Sequence, residues 1–186
     1  MDLPIYIIDA FAERPLTGNP AAVCPLEAWL PAATMQAIAS EMNLSETVFF
    51  APDQQRNGFG IRWFTPTREV DLIGHATLAA GFLVLERVQP AAASVRFLSG
   101  SDELVVAREG RSFSLDMPAL RPRAIEAPAA LVQGLGRRPG AVLAAKHYLC
   151  VFDHADDVAA LSPDMGMIAA LELPARYRDG TGRRGN

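Results

Sequence analysis

The chain has 186 residues, half of them hydrophobic and a fifth charged, with a formal net charge of −4. That composition is globular rather than disordered, and the length suits one substantial domain or one domain with part of another. The acidic balance leaves no electrostatic footprint for nucleic acid. Every long apolar run is broken by Gly, Pro or a charge before it could span a bilayer.

The amino end, Met1-Asp2-Leu3-Pro4, lacks the basic-then-apolar layout of a secretion signal. Cys24 and Cys150 lie far apart in sequence and read as free, buried thiols. A cytoplasmic protein with no nucleic-acid and no membrane partner is therefore expected.

In chain order, Ile5–Phe11 is rich in β-branched and aromatic residues and predicts a first strand. The turn cluster Arg14–Pro20 follows, then a short strand over Ala21–Cys24. Leu30-Pro31 opens a helix with Met35, Ile38, Ala39 and Met42 at helical spacing, and Asn43 stops it. Ser45–Phe50 and Ile61–Thr65 predict two more strands, separated by a loop over Gln54–Gly58, and Pro66–Glu69 reads as a turn.

Next comes the stretch that organises the rest, a helix predicted over about residues 76–88 that is apolar on nearly every face until Glu86. A helix with no polar face has to be buried on all sides. Ala76, Ala79, Ala80 and Gly81 are small enough to let strands approach it closely. Ser94–Leu98, Glu103–Arg108 and Ser112–Met117 alternate with a period of two and are joined by hairpin-like turns. Residues 1–117 thus predict about seven strands around one buried helix, with a second helix outside.

Residues 118–128, with Pro118, Pro122 and Pro128, read as a Pro-rich linker. The start of a second α/β lobe follows over 129–175. It has a helix at Ala129–Leu135, two strands within Ala141–Phe152, and helices opening at Asp153 and at Ser162-Pro163-Asp164. Residues 176–186 read as an irregular tail with four arginines and three glycines.

Several polar residues stand where chemistry could happen. Glu46, between Ser45 and Thr47 at the mouth of an otherwise apolar strand, suits a proton shuttle. A solvated strand-end glutamate is the competing reading. Gly74 and His75 stand at the start of the apolar helix, where free N–H groups and the dipole favour an anion. His75 could hold a carboxylate or donate a proton, although a lone histidine is more often structural. Asn19, in Gly18-Asn19-Pro20, could present its amide to a ligand or simply serve the turn. His147 and His154 have no ligand partners at usable spacing, so no metal site is expected.

Five motifs together resemble a family. Asp9-Ala10-Phe11, Gly18–Val23, Met42–Phe49, Arg62–Thr67 with Glu69-Val70, and Gly74-His75-Ala76-Thr77 occur in the order and rough spacing of the phenazine-biosynthesis isomerase (PhzF-like) family. A weaker likeness continues through Tyr148–Phe152 and Leu161–Asp164 and stops near Arg176.

The resemblance implies an α+β, diaminopimelate-epimerase-like fold: a mixed, mostly antiparallel sheet wrapped around a central helix, in two similar halves with the active site between them. It also implies proton transfer at carbon on a small carboxylate-containing metabolite, without a cofactor and without a metal. Glu46 matches the family's acid/base glutamate. Gly74, His75, Ala76 and Thr77, with Asn19, match its substrate-binding positions. A homodimer is its candidate assembly.

Thiol racemases of the same fold are the enzymatic rival. Some of them place a cysteine directly before a Gly-His pair, where this chain has Ile73.

The resemblance also implies a longer second lobe, so a truncated and impaired isomerase is expected. The alternatives are a non-catalytic anion-binding or dimerising lobe, or a non-functional truncated product. Codons allowed for Arg176–Gly182, read one nucleotide later, can spell the apolar strand Gly-Ile-Val-Met-Ala-Pro. A shifted reading frame from Arg176 is therefore expected.

Overall fold

The computed structural model describes residues 2–14, 16–100 and 102–173, together with the backbone of 175–179. The chain divides into two compact units, Met1–Pro118 and Ala119–Asn186.

In the first unit the strands are β1 (Tyr6–Ala10), β2 (Asn19–Pro25), β3 (Thr47–Asp53), β4 (Gly58–Phe64), β5 (Glu69–Val70), β6 (Ser94–Ser99), β7 (Asp102–Glu109) and β8 (Ser112–Asp116). They form one mixed sheet in the order β1-β2-β3-β4-β6-β7-β8, with β5 on β4. Parallel neighbours need a crossover. Helix α1 (Ala32–Met42) lies between the parallel pair β2–β3, and the central helix α2 (Gly74–Leu83) between β4 and its parallel partner β6.

Alternation along the strands gives the sheet two buried faces. Val48, Phe50, Ile61, Trp63, Phe97, Leu104 and Val106 pack on Ala76, Ala79, Ala80 and Leu83 of α2. Cys24, Phe49 and Phe64 point the other way, onto Met35 and Ala39 of α1. The sheet therefore curls around α2 while α1 covers its outside, as the composition of the helix demands. Gly81 marks the closest approach: a Cβ there would lie 2.5 Å from the Cβ of Val106.

The central helix differs from expectation in three ways. It begins at Gly74 rather than Ala76, because the Ile73 carbonyl accepts from both Thr77 N–H (3.0 Å) and Thr77 Oγ1 (2.8 Å), closing the first turn early. Its end is a π-helical turn, Val84–Val88, in which Gln89 N–H reaches back to the Val84 carbonyl at 2.7 Å. Arg108 stabilises that turn by donating to the Leu85 carbonyl (2.8 Å) and pairing with Glu86 (2.6 Å).

Nor is the helix covered on every side. Phe82 is 40% exposed and meets Phe113 edge-on at 5.4 Å, on the side where the sheet order ends at β1 and β8. The segment Pro66–Glu69 also does more than turn. Glu69-Val70 pairs with Phe64 and Trp63 as β5, a strand too short for any period to reveal.

The second unit carries β9 (Arg123–Ile125), β10 (Ala141–Ala144), β11 (Tyr148–Phe152) and β12 (Ala175–Asp179) in the order β12-β11-β10-β9. Helices α3 (Ala129–Leu135), α4 (Ala155–Ala159) and α5 (Met165–Ala169) accompany them. Leu131, Leu135, Val142, Tyr148, Cys150, Phe152 and Val158 form the core. Asp164 caps α5, its side chain accepting from Met167 N–H at 3.0 Å.

Two strands lie where the sequence predicts none. The Pro-rich stretch contains β9, paired with β10. The tail read as irregular from Arg176 is strand through Asp179, running parallel to β11; a backbone ladder forms where composition gives no sign of it. Residues 180–186, and the side chains on which the reading-frame expectation turns, lie outside the described residues.

Candidate active site

Glu46 stands between the end of α1 and the start of β3. Asn43 closes α1 in the left-handed region at φ 49°, a conformation that asparagine tolerates better than most residues. The Glu46 carbonyl then accepts from Ala22 N–H at 3.2 Å, which sets the parallel register Ala22↔Thr47. By the alternation of β3, residue 46 shares the face of Val48 and Phe50, which is the face of α2.

His75, in the first turn of α2, meets it there: His75 Nε2 and Glu46 Oε2 are 3.2 Å apart. Both side chains are largely shielded, at 11% and 15% exposure. The two atoms are at ion-pair distance but off the line of a hydrogen bond. In uncomplexed sites such contacts commonly align only when substrate arrives.

The first turn of α2 also presents backbone N–H groups. Ile73 at the N-cap has no side-chain acceptor to offer the first-turn N–H groups, which carry the positive end of the helix dipole. The Met117 thioether lies against the α-carbon side of Gly74; a Cβ there would be 3.2 Å from the sulfur.

Asn19 is exposed, the first residue of β2 and opposite Ala10. It shares the inward parity of Ala21 and lies at the strand end where Glu46 enters β3.

Ala76 and Thr77 behave differently from His75. Both are fully buried. Thr77 Oγ1 accepts from Trp63 Nε1 at 3.1 Å while donating to the Ile73 carbonyl, so its hydroxyl is committed to the fold. Of the helix-start positions, His75 therefore brings a side chain to Glu46, whereas Ala76 and Thr77 hold the turn.

Cys24 and Cys150 are free and buried, and burial pushes each thiol up to about 11. Neither is suited to act as a base near neutrality. Among the described residues no group of three His, Cys, Asp or Glu could hold a metal ion, and no helix is long and apolar enough to cross a membrane.

Sequence reading missed Trp63 as the anchor of Thr77, and the fork of Arg62 on Glu69. Both contacts depend on β4–β5 pairing, which no local pattern signals.

A family profile for phenazine biosynthesis-like proteins matches residues 8–173. The chain belongs to that family. Phenazine biosynthesis-like relatives include an uncharacterized isomerase of Pseudomonas aeruginosa, 46% identical over 172 residues, which cover 92% of this chain and 65% of the relative. A human phenazine biosynthesis-like domain-containing protein is 45% identical over 124 residues, covering 63% of this chain and 43% of its own length.

The crystal structure of a PhzF-family phenazine biosynthesis protein from Enterococcus faecalis superposes with a TM-score of 0.83 at 38% identity. That match covers 97% of this chain and 70% of the other. A protein of Pseudomonas aeruginosa described as a predicted epimerase shares the fold at a TM-score of 0.72 and 22% identity, over 95% of this chain and 70% of that one. The fold is thus the α+β, epimerase-like architecture of the family. The chain spans 65% of the length of the 46% identical Pseudomonas isomerase, and the same share of a second uncharacterized isomerase of Pseudomonas aeruginosa that is 41% identical.

Proposed function

We propose that this phenazine biosynthesis-like chain carries the proton-transfer residues of a cofactor-independent isomerase or epimerase acting on a small carboxylate. The observation that supports this most is the 3.2 Å approach of Glu46 and His75 at a helix start whose N-cap residue, Ile73, offers no side-chain hydrogen bond.

In this reading the Glu46 carboxylate removes a proton from carbon. The electron pair left behind delocalises into the substrate's own carboxylate, and the N–H groups at the α2 start stabilise that charge. Glu46 or His75 then returns a proton to another carbon or to the other face. Such chemistry needs proton carriers and an anion cradle, roles that Glu46, His75 and the α2 start would fill in this reading. The names of the Pseudomonas relatives as isomerases agree with it. A cytoplasmic setting belongs to the same reading, since Cys24 and Cys150 are free thiols of the kind a reducing compartment maintains.

The test is solvent exchange. The protein is incubated in D2O with a panel of small carboxylates bearing an acidified C–H bond, and deuterium uptake is followed by mass spectrometry. Glu46→Gln is expected to slow uptake by at least ~10²-fold, the usual scale of a lost general base, with an unchanged circular dichroism spectrum. Uptake at the parent rate in that variant would remove Glu46 from the mechanism.

A further inference from the structure

The pair formed by Glu46 and His75 depends on two separate segments arriving at one place, and strand β4 is adjacent to both. Thr47, the residue after Glu46, is opposite Phe64 in β4, and Phe64 is in turn opposite Glu69 in β5. From Glu69 the chain runs through Val70 to Ile73 and into α2. His75 is thus five residues beyond the end of a strand of only two residues, far too short to hold its own place.

Consecutive side chains of β4 grip the two ends of that run. On the inner face Trp63 Nε1 donates to Thr77 Oγ1 at 3.1 Å. On the outer face Arg62 forks onto Glu69, Nε to Oε1 and Nη2 to Oε2, both at 2.6 Å.

The guanidinium is itself held in place. It lies 5.7 Å over the Trp29 ring and 5.3 Å over the Phe64 ring. Trp29 can reach that position because residue 60 is glycine; a Cβ there would be 2.8 Å from Trp29 Cζ2. The turn between the strands is fixed as well. Thr65 Oγ1 accepts from Arg68 N–H at 3.1 Å, and Gln36 of α1 donates to the Thr65 carbonyl at 2.9 Å.

Arg62 and Glu69 are 30% and 43% exposed. An ion pair in that setting contributes little to stability. A planar fork stacked on rings does, however, fix direction as well as distance.

We propose that Arg62 and Glu69 are positioning residues for the candidate site: their fork sets β5, and through it the approach of His75 to Glu46. The proposal rests on the reading of Glu46 and His75 as a working pair, and its test separates the two.

The His75 imidazole is observed by ¹H–¹³C NMR in the intact chain. Glu46→Gln is expected to move its ring signals, because it removes a charge 3.2 Å away. In the Glu69→Gln background the same Glu46→Gln change is expected to move them by less than half as much, with the thermal midpoint shifted by no more than a few degrees. Arg62→Lys keeps the charge without the fork. It is expected to behave like Glu69→Gln, and it stands in should that variant not fold.

A full Glu46-dependent shift in both variants would overturn the positioning role while leaving the pair intact. No Glu46-dependent shift in the parent chain would overturn the pair itself, and the proposal with it.

Discussion

Trp63, Thr77 and His75 show how a short motif divides its work between neighbours. His75 presents its ring to Glu46, while two residues later Thr77 turns inward and joins Trp63 to the Ile73 carbonyl. Thr77 is fully buried and Trp63 is 1% exposed, so the indole N–H has no recourse to solvent. Thr77→Val keeps the volume but removes the acceptor. It is expected to cost about 1–3 kcal/mol, the penalty for stranding a buried donor. Trp63→Phe combined with Thr77→Val should cost less than the two single changes added together, because the stranded donor is gone. Urea midpoints of the four proteins measure this, and strict additivity would mean that the bond carries no coupling. Nothing in the sequence marks Thr77 as structural. Gly74 to Thr77 reads as one functional motif, and only the position of Trp63 across the β4–α2 contact separates its members.

Among elements, α2 was the most legible and β5 the least. A stretch between His75 and Glu86 that is apolar but for Thr77 has few places to go in a globular fold, so enclosure by the sheet follows from composition alone. The same composition cannot say where the wrapping stops. Phe82 is half-open because the sheet ends at β1 and β8, a fact of topology. β5 and β9 have two and three residues, below the length at which a period-two signal exists. Glu46 was legible as a polar residue at a strand mouth, but its partner was not, since 28 residues of chain lie between them.

The close packing on α2 gives a test at this scale. Helix propensity alone favours Gly81→Ala by roughly 1 kcal/mol. The Val106 side chain, 2.5 Å from where the new methyl would sit, opposes it. Overpacking is expected to win, for a net loss of about 1–3 kcal/mol. Val106→Ala, which alone opens a cavity, should restore part of that loss when combined with Gly81→Ala. A thermal midpoint that rises in Gly81→Ala would refute the tight wrapping of β7 on the helix.

For the whole molecule, the division into Met1–Pro118 and Ala119–Asn186 places one cysteine in each core: Cys24 beneath α1, and Cys150 in β11. Each thiol is held up to about 11 by burial, against a reference value of 9.0. Folded protein therefore keeps both protons where unfolded chain loses them. Stability contributed by these groups is full below about pH 9 and falls as pH rises from there toward 11, so the urea midpoint should drop across that window.

At pH 8 the same burial makes the thiols reporters of unfolding. Alkylation by iodoacetamide should be slow in the native chain and fast once a core opens. The second unit is the smaller, and small cores bury a smaller share of their surface. Cys150 is therefore expected to become reactive at lower urea than Cys24, with mass spectrometry of the labelled peptides giving the two midpoints. Coincident midpoints would show one cooperative transition over the whole chain and would overturn the expectation that the two cores unfold separately.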